Sequence, residues 1–203
     1  PFANVLTHPD YPDNLYPRNF LYPLDPPNTY FGAERIHGRK RLTADEPDEV
    51  TDGLPLVRVV PDTEVAKLKP AGNNLIGFNF EVTFQLETAL RYFFMATAAR
   101  LFREAKGSMA MDFSTMLVHT SQRVAVHKQS SIRIKECIET LRKQVMRGSL
   151  TAWDKIWQEE MQEIDREKLG AKLGEVEFGD LSAYLFPAID RCKVVVSNSM
   201  KDE

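Results

Sequence analysis

The stretch MLVHTSQRVAVHK, from Met116 to Lys128, carries the side chains of this chain that are best suited to chemistry. An apolar triplet leads into His119-Thr120-Ser121, and an arginine, a second histidine and a lysine follow. Three kinds of site use residues of these types: a histidine active site, a metal site, and a strand end that binds an anion.

The first two kinds of site lack essential partners. A general base at His119 or His127 needs an acid to orient its ring, and the stretch contains none. Ser121 lacks the flanking glycines of a hydrolase nucleophile. A metal ion needs more ligands than two histidines, and the chain has no HExxH motif and no paired cysteines. We therefore name no catalytic residue and no metal ligand.

The third kind of site depends on geometry. If Met116 to Val118 form a parallel strand and a helix begins near Gln122, then His119, Thr120 and Ser121 lie at the strand's carboxyl end, where open α/β sheets bind ligands. A helix N-terminus offers free N–H groups and a partial positive charge to a phosphate. The alternative, that Ser121 only caps its own helix, remains open.

Local charge favours a polyanion at this position. Between Gln122 and Gly148 seven residues are basic and two are acidic, whereas six are acidic and two basic from Asp154 to Glu167. Two such helices could simply pair with each other or face solvent. Arg123 and Lys128 nevertheless lie within two turns of the predicted anion site, where they could hold a nucleic-acid backbone.

A second basic stretch, RIHGRKR, covers Arg35 to Arg41. We predict a short loop here, with Arg39 and Lys40 as further candidates for phosphate contact. The alternative is a solvated turn in a linker.

Hydrophobic periodicity predicts the elements that position these residues. Helical spacing indicates a long buried helix from Glu81 to Lys106 and further helices after Gln122, from Thr151, and in GDLSAYLFPAIDRC, where Asp180 is the predicted cap and Pro187 a bend or a new turn. PDTEVAKLK predicts a short helix. The apolar runs predict strands in LPLVRVV, STMLVHTS and KVVVSNS. This order predicts an α/β fold, with parallel strands and a helical insertion over about 122–191.

Composition limits the class of protein. The chain has 203 residues, 43% of them hydrophobic, and a net charge of −3, so polyanion binding requires local patches. Its two cysteines are far apart, as expected in a reducing cytosol. We expect a bacterial cytoplasmic protein without a membrane segment or signal peptide. The first residue, Pro1, suggests a piece of a longer protein.

Prolines divide the chain into two predicted parts. Eight of the twelve prolines lie in the first fifty residues, where they exclude mainly regular helix or central sheet. We predict a connector rich in proline and aromatic residues over 1–53, and the main domain over 54–203.

Several stretches resemble the Z1-domain (DEAD-Z1) helicase-like family. PFANVLTHPDYPDNLYPRNFLYPL and YFGAERIHG resemble the region after the family's TAT-type motif, and ALRYFFMATAARLFR and MLVHTSQRVAVHKQ resemble its helix and following strand-to-helix element. The resemblance implies that Pro1 to Leu6 end a first RecA-like domain and that 54–203 begin a second, as a partial RecA-like parallel sheet. Met116 to Arg123 would then match the motif that contacts phosphates.

The resemblance also implies a function. It suggests an NTP-dependent DNA translocase in a restriction or phage-defence system, such as the motor subunit of a CglI-type multi-subunit restriction endonuclease. Its cofactors would be ATP and Mg²⁺, and its partners double-stranded DNA and a nuclease subunit or domain. Because the sequence has no GxxxxGK[ST] loop, we expect this segment alone to be inactive and the ATPase to belong to the parent protein.

Two other functions compete with this one. A nuclease would need carboxylates and a lysine around a metal, and Asp62, Glu64 and Lys67 are the nearest approach, with spacing typical of a helix instead. A non-catalytic scaffold would dock a nuclease or another subunit on its helices, with Trp153 and Trp157 as possible anchors, although core packing is the commoner role of such residues.

Overall fold

The computed structural model describes Tyr30 and residues 32–39, 51–72, 75–107, 113–163 and 176–197. The chain divides into two units, Pro1–Gly53 and Leu54–Glu203. The predicted proline-rich connector lies mostly outside the described residues, and so does Lys40.

The described part of the first unit is a helical turn followed by a small strand pair. Helix α1 (Ala33–His37) leads into β1 (Gly38–Arg39), which pairs antiparallel with β2 (Thr51–Asp52). Gly38 joins helix and strand with a φ of 76°, a conformation that costs glycine little. The predicted loop RIHGRKR is therefore helix and strand over its described residues.

The second unit begins with an extended stretch and a short helix. The strand predicted in LPLVRVV is wrong: its described residues form no ladder, and Val57 and Val59 are exposed. The predicted helix in PDTEVAKLK is confirmed as α2 (Asp62–Leu68). It has acidic residues in its first turn and Lys67 in its last, an arrangement that suits the helix dipole.

The long buried helix is confirmed as α3 (Phe84–Ala105). The side chain of its N-cap, Thr83, accepts a hydrogen bond from the Leu86 N–H group, which satisfies one of the free donors at a helix start. The helix ends just before Gly107, whose φ is 70°.

Among the described residues, three further helices follow and confirm the helical periodicity. They are α4 (Val124–Met146), α5 (Thr151–Glu163) and α6 (Phe178–Asp190). Helix α6 continues through Pro187, where the sequence predicted a bend or a new turn, and Asp180 lies in its first turn because Glu177 is the N-cap. In the part of the chain that the structure describes, no helix is both long and apolar enough to span a membrane.

The hydrophobic core lies between these helices. Helix α3 packs most extensively against α6, while α4 and α5 cover the sides of this pair. The largest fully buried side chains are Trp153, Phe80, Phe94, Met95, Leu141, Leu181, Leu185 and Val126. Close packing of such large apolar groups is the main stabilising contribution to a fold of this size.

A buried arginine of α3, Arg91, contacts both α4 and α5. Arg91 is only 7% exposed, and its guanidinium lies 5.7 Å from the Trp153 ring centroid. It pairs with Glu87 at 2.5 Å and donates a hydrogen bond to Gln144 at 3.3 Å. These contacts and the Trp153 ring stabilise the buried guanidinium, although its Nε has no hydrogen-bond partner among the described residues.

The predicted α/β fold, a partial RecA-like parallel sheet with a helical insertion, is wrong. The structure is helical, and its described residues contain no parallel sheet. The stretches predicted as the two parallel strands are extended over 113–121 and 192–197 but pair with no strand among the described residues.

The physical reason is that only one face of each extended stretch meets the core. Met116, Val118 and Val194 pack against it, whereas Leu117 is 86% exposed and Val195 is 79% exposed. An interior parallel strand buries both faces. The short apolar runs therefore did not correctly predict interior strands in this chain. The helices expected to be an insertion form the core themselves.

Candidate nucleic-acid interface

The residues singled out in the sequence lie on an extended segment that runs into α4. The segment covers residues 113–121, and exposed and half-buried residues alternate along it as expected for extended backbone. Arg100 of α3 donates a hydrogen bond to Ser114 Oγ at 3.1 Å, which ties the segment to the core. His119 is exposed, while Thr120 and Ser121 are half-buried.

The start of α4 differs from the prediction by two residues. The helix begins at Val124 with Arg123 as its N-cap, so Ser121 is not the cap. Ser121 Oγ instead accepts a hydrogen bond from the Arg123 N–H group at 3.3 Å. This contact holds the turn before the helix, a role that serine hydroxyls often take beside a helix start.

The first turn of α4 is open to an anion. The side chain of the N-cap, Arg123, does not accept a hydrogen bond from the first turn, and the turn has no acidic residue. The N–H groups of Val124 and Ala125 have no partner among the described residues, whereas those of Val126 and His127 donate to Arg123 O. Free N–H groups and the positive end of the helix dipole are what a phosphate binds.

At the starts of α3 and α6, side-chain carboxylates accept backbone N–H groups, whereas α1 and α2 begin without a side-chain cap. The carboxylate of Glu64 accepts the Gln85 N–H group of α3 at 3.1 Å. At α6, Asp180 accepts the Glu177 N–H group at 3.2 Å. The sequence alone did not reveal this contrast, because it depends on which carboxylates fold back onto a helix start.

The two histidines lie beside each other. The ring centroids of His119 and His127 are 6.0 Å apart, with the planes inclined at 55°. His127 Nε2 is 2.5 Å from the Ser121 carbonyl oxygen. Because a carbonyl oxygen only accepts hydrogen bonds, this nitrogen carries the proton and donates a hydrogen bond to the backbone. His127 therefore holds the segment against α4. No group of three or more His, Cys, Asp or Glu side chains suited to a metal ion occurs among the residues that the structure describes.

The remaining candidates lie outside the turn before α4. Lys128 is exposed on the second turn of α4 and is close in sequence to the open helix start. Arg39 lies in β1 of the first unit, and Lys40 is outside the described residues. Phosphate contact by these three residues remains a prediction.

A groove between the start of α3 and the middle of α4 was not anticipated. Its volume is about 250 Å³, and its lining consists of Val82, Glu87, Arg133, Glu136, Cys137, Thr140 and Leu141. The charges in its wall are paired, with Arg133 Nη1 3.1 Å from a Glu136 oxygen and Glu87 bound to Arg91.

The cysteine in this groove is poorly suited to nucleophilic chemistry. Burial and, to a smaller extent, the nearby Glu87 carboxylate raise the pKa of Cys137 to about 11 against the opposing effect of Arg91. The thiolate is therefore scarce near neutral pH, and a reactive cysteine needs the opposite environment.

The residues of the two competing functions have structural partners. Glu64 binds the start of α3, and Lys67 lies 3.4 Å from Glu81, so the acids and lysine of the nuclease alternative do not converge. Trp153 is fully buried and Trp157 packs against the core. Trp153 is therefore not available as an anchor for a partner subunit, whereas Trp157 is only partly buried.

Comparison with known proteins places the chain in a family. The sequence model of the Z1 domain family matches residues 85–203, which are more than half of the chain. The match begins within the first turn of α3. The chain therefore belongs to the Z1 domain family. No curated protein and no solved structure matches it.

Proposed function

We propose that this chain is the DNA-contacting part of an NTP-dependent, helicase-like translocase in a restriction or phage-defence system. The open start of α4, with Thr120, Ser121 and Arg123 before it, would bind the phosphate backbone. ATP and Mg²⁺ would be bound elsewhere in the parent protein, and a nuclease would act on the same DNA.

The observation that carries the proposal is the unsatisfied first turn of α4. Two N–H groups there have no partner among the described residues, and the first turn itself contains no acidic residue. The preceding residues add donors that suit a phosphate: the Thr120 hydroxyl, His119 and the Arg123 guanidinium. Membership of the Z1 domain family is compatible with a role in defence.

The direct test is the double substitution Thr120→Ala with Arg123→Ala in the full-length protein. We expect DNA to bind roughly tenfold more weakly, because at least one phosphate contact and its counterion release are lost. Stimulation of ATP hydrolysis by DNA should fall in parallel. Fluorescence anisotropy with a labelled duplex and a coupled ATPase assay measure the two effects.

The matched control is Thr115→Ala with Arg191→Ala. Both positions are exposed, the chemical changes are the same, and neither residue lies at the start of α4. The control should behave as the unmodified protein does. DNA-stimulated ATPase activity that is unchanged in the Thr120/Arg123 variant would contradict the proposal.

A further inference from the structure

The outer face of α4 carries a row of exposed residues that the helix start does not explain. We call this row the α4 stripe, and it consists of Lys128, Ile132, Lys135, Glu139, Lys143 and Met146. Their spacing of three or four residues puts them on one side of the helix. The opposite side contributes the buried residues Val126, Ile134 and Leu141 to the core.

Charge on α4 is distributed unevenly between the stripe and its flank. Glu136 is paired with Arg133 at 3.1 Å, and Glu139 lies 3.8 Å from Arg142 and 3.9 Å from Lys143. In the described part of the chain, Lys128 and Lys135 have no carboxylate within 4.0 Å. The acids of α4 are thus offset locally, and the stripe keeps an excess of positive charge.

The length of the stripe suits a nucleic-acid backbone. Lys128 and Lys143 are fifteen positions apart, which corresponds to roughly 22 Å along a helix. At the 3.4 Å rise per nucleotide along the duplex axis, this length spans about six base pairs. Lysines at intervals along such a path add counterion release at each contact.

We propose that a DNA backbone follows the α4 stripe from the start of the helix past Lys135 and Lys143, rather than ending at its first turn. This inference rests on the proposed DNA-binding function and adds to it the direction and length of the contact. The partner is defined by its chemistry as a regularly spaced polyphosphate, and charge complementarity identifies it.

The test uses Lys135→Ala with Lys143→Ala in the full-length protein, since neither residue belongs to the contact at the helix start. Binding of a fluorescein-labelled duplex is measured by anisotropy over a series of KCl concentrations. We expect the slope of log K against log[KCl] to become shallower by about two, one for each lost contact. Because both lysines are exposed, the melting temperature should stay unchanged.

Two further variants sharpen the result. Lys69→Ala with Lys155→Ala removes two exposed lysines outside the stripe, and the slope should keep its original value. Glu139→Gln removes the one acid of the stripe and should tighten DNA binding. Looser binding by Glu139→Gln would contradict the path.

The outcomes separate this inference from the proposed function. Suppose that the Lys135→Ala/Lys143→Ala variant keeps the original slope of log K against log[KCl], while the Thr120→Ala/Arg123→Ala variant binds DNA more weakly. Then DNA does not follow the α4 stripe, and the contact at the helix start stands. If the unmodified protein binds no DNA, both proposals fail. If poly-glutamate binds the stripe as tightly as DNA does, the partner is an acidic protein and the inference is overturned.

Discussion

The indole of Trp153 is completely buried, and its N–H group has no hydrogen-bond partner among the described residues. The ring lies between α5, which supplies it, and the Arg91 guanidinium of α3. A single side chain thus fills space in the core and supports a buried charge. Its two contributions can be separated by substitution.

Trp153→Ala should destabilise the protein by about 3–5 kcal/mol, because it leaves a large cavity beneath Arg91. Trp153→Phe should cost much less, since it keeps an aromatic ring and removes a buried donor that has no acceptor. Urea unfolding followed by circular dichroism measures both free energies. Equal losses of unfolding free energy in the two variants would show that the cavity does not determine the destabilisation.

At the residue scale, spacing in the sequence identified the stretch before α4 but not the role of each side chain. Helical periodicity placed Thr120, Ser121 and Arg123 close to a helix start. The N-cap is Arg123 and not the predicted Ser121, because His127 binds the Ser121 carbonyl and Ser121 Oγ accepts a hydrogen bond from the Arg123 N–H group. Such short contacts depend on how the segment lies against the helix, which no spacing rule records.

At the scale of elements, the two glycines Gly148 and Gly179 have different backbone conformations. Gly148 ends α4 with a φ of 70°, a left-handed conformation in which other residues are strained. Gly179 lies inside α6 with no left-handed φ, and an added methyl group there would meet no atom within 4 Å. They form a matched pair for one substitution.

Gly148→Ala should destabilise the protein by about 1 kcal/mol, because alanine resists the left-handed turn between α4 and α5. Gly179→Ala should be neutral or stabilising, since alanine favours helix. Thermal melts of the two variants give the comparison. A lower melting temperature for Gly179→Ala than for Gly148→Ala would contradict this assignment of strain.

The length of each hydrophobic pattern explains why the helices were predictable and the strands were not. The 3.6-residue period of α3 and α4 extends over six turns, so many residues support it. The runs at Met116 and Val194 contain only a few apolar residues, which fit equally an interior strand or a single extended segment on a helical core. Their neighbours in space decide between the two.

For the whole molecule, the described core belongs to one unit. Every buried hydrophobic residue among those described lies between Leu54 and Ile189. A unit with its own core can fold independently. The first unit contributes α1 and a two-residue strand pair to the described structure.

Residues 54–203 expressed alone should therefore unfold in one cooperative transition. The helical circular dichroism signal and near-ultraviolet tryptophan signal should be lost at the same urea concentration, because both report the same core. Trp153→Ala in this fragment serves as the destabilised reference. Separate transitions, or a fragment without near-ultraviolet signal, would contradict the prediction.

The alternation along residues 113–121 has a consequence for tolerated changes in this region. Since Leu117 and His119 face solvent while Met116 and Val118 face the core, replacement of an outward side chain changes the packing of the core little. Loss or gain of one residue would invert every side chain of the segment and bury the imidazole where valine packs. Related chains should therefore vary more freely in composition here than in length.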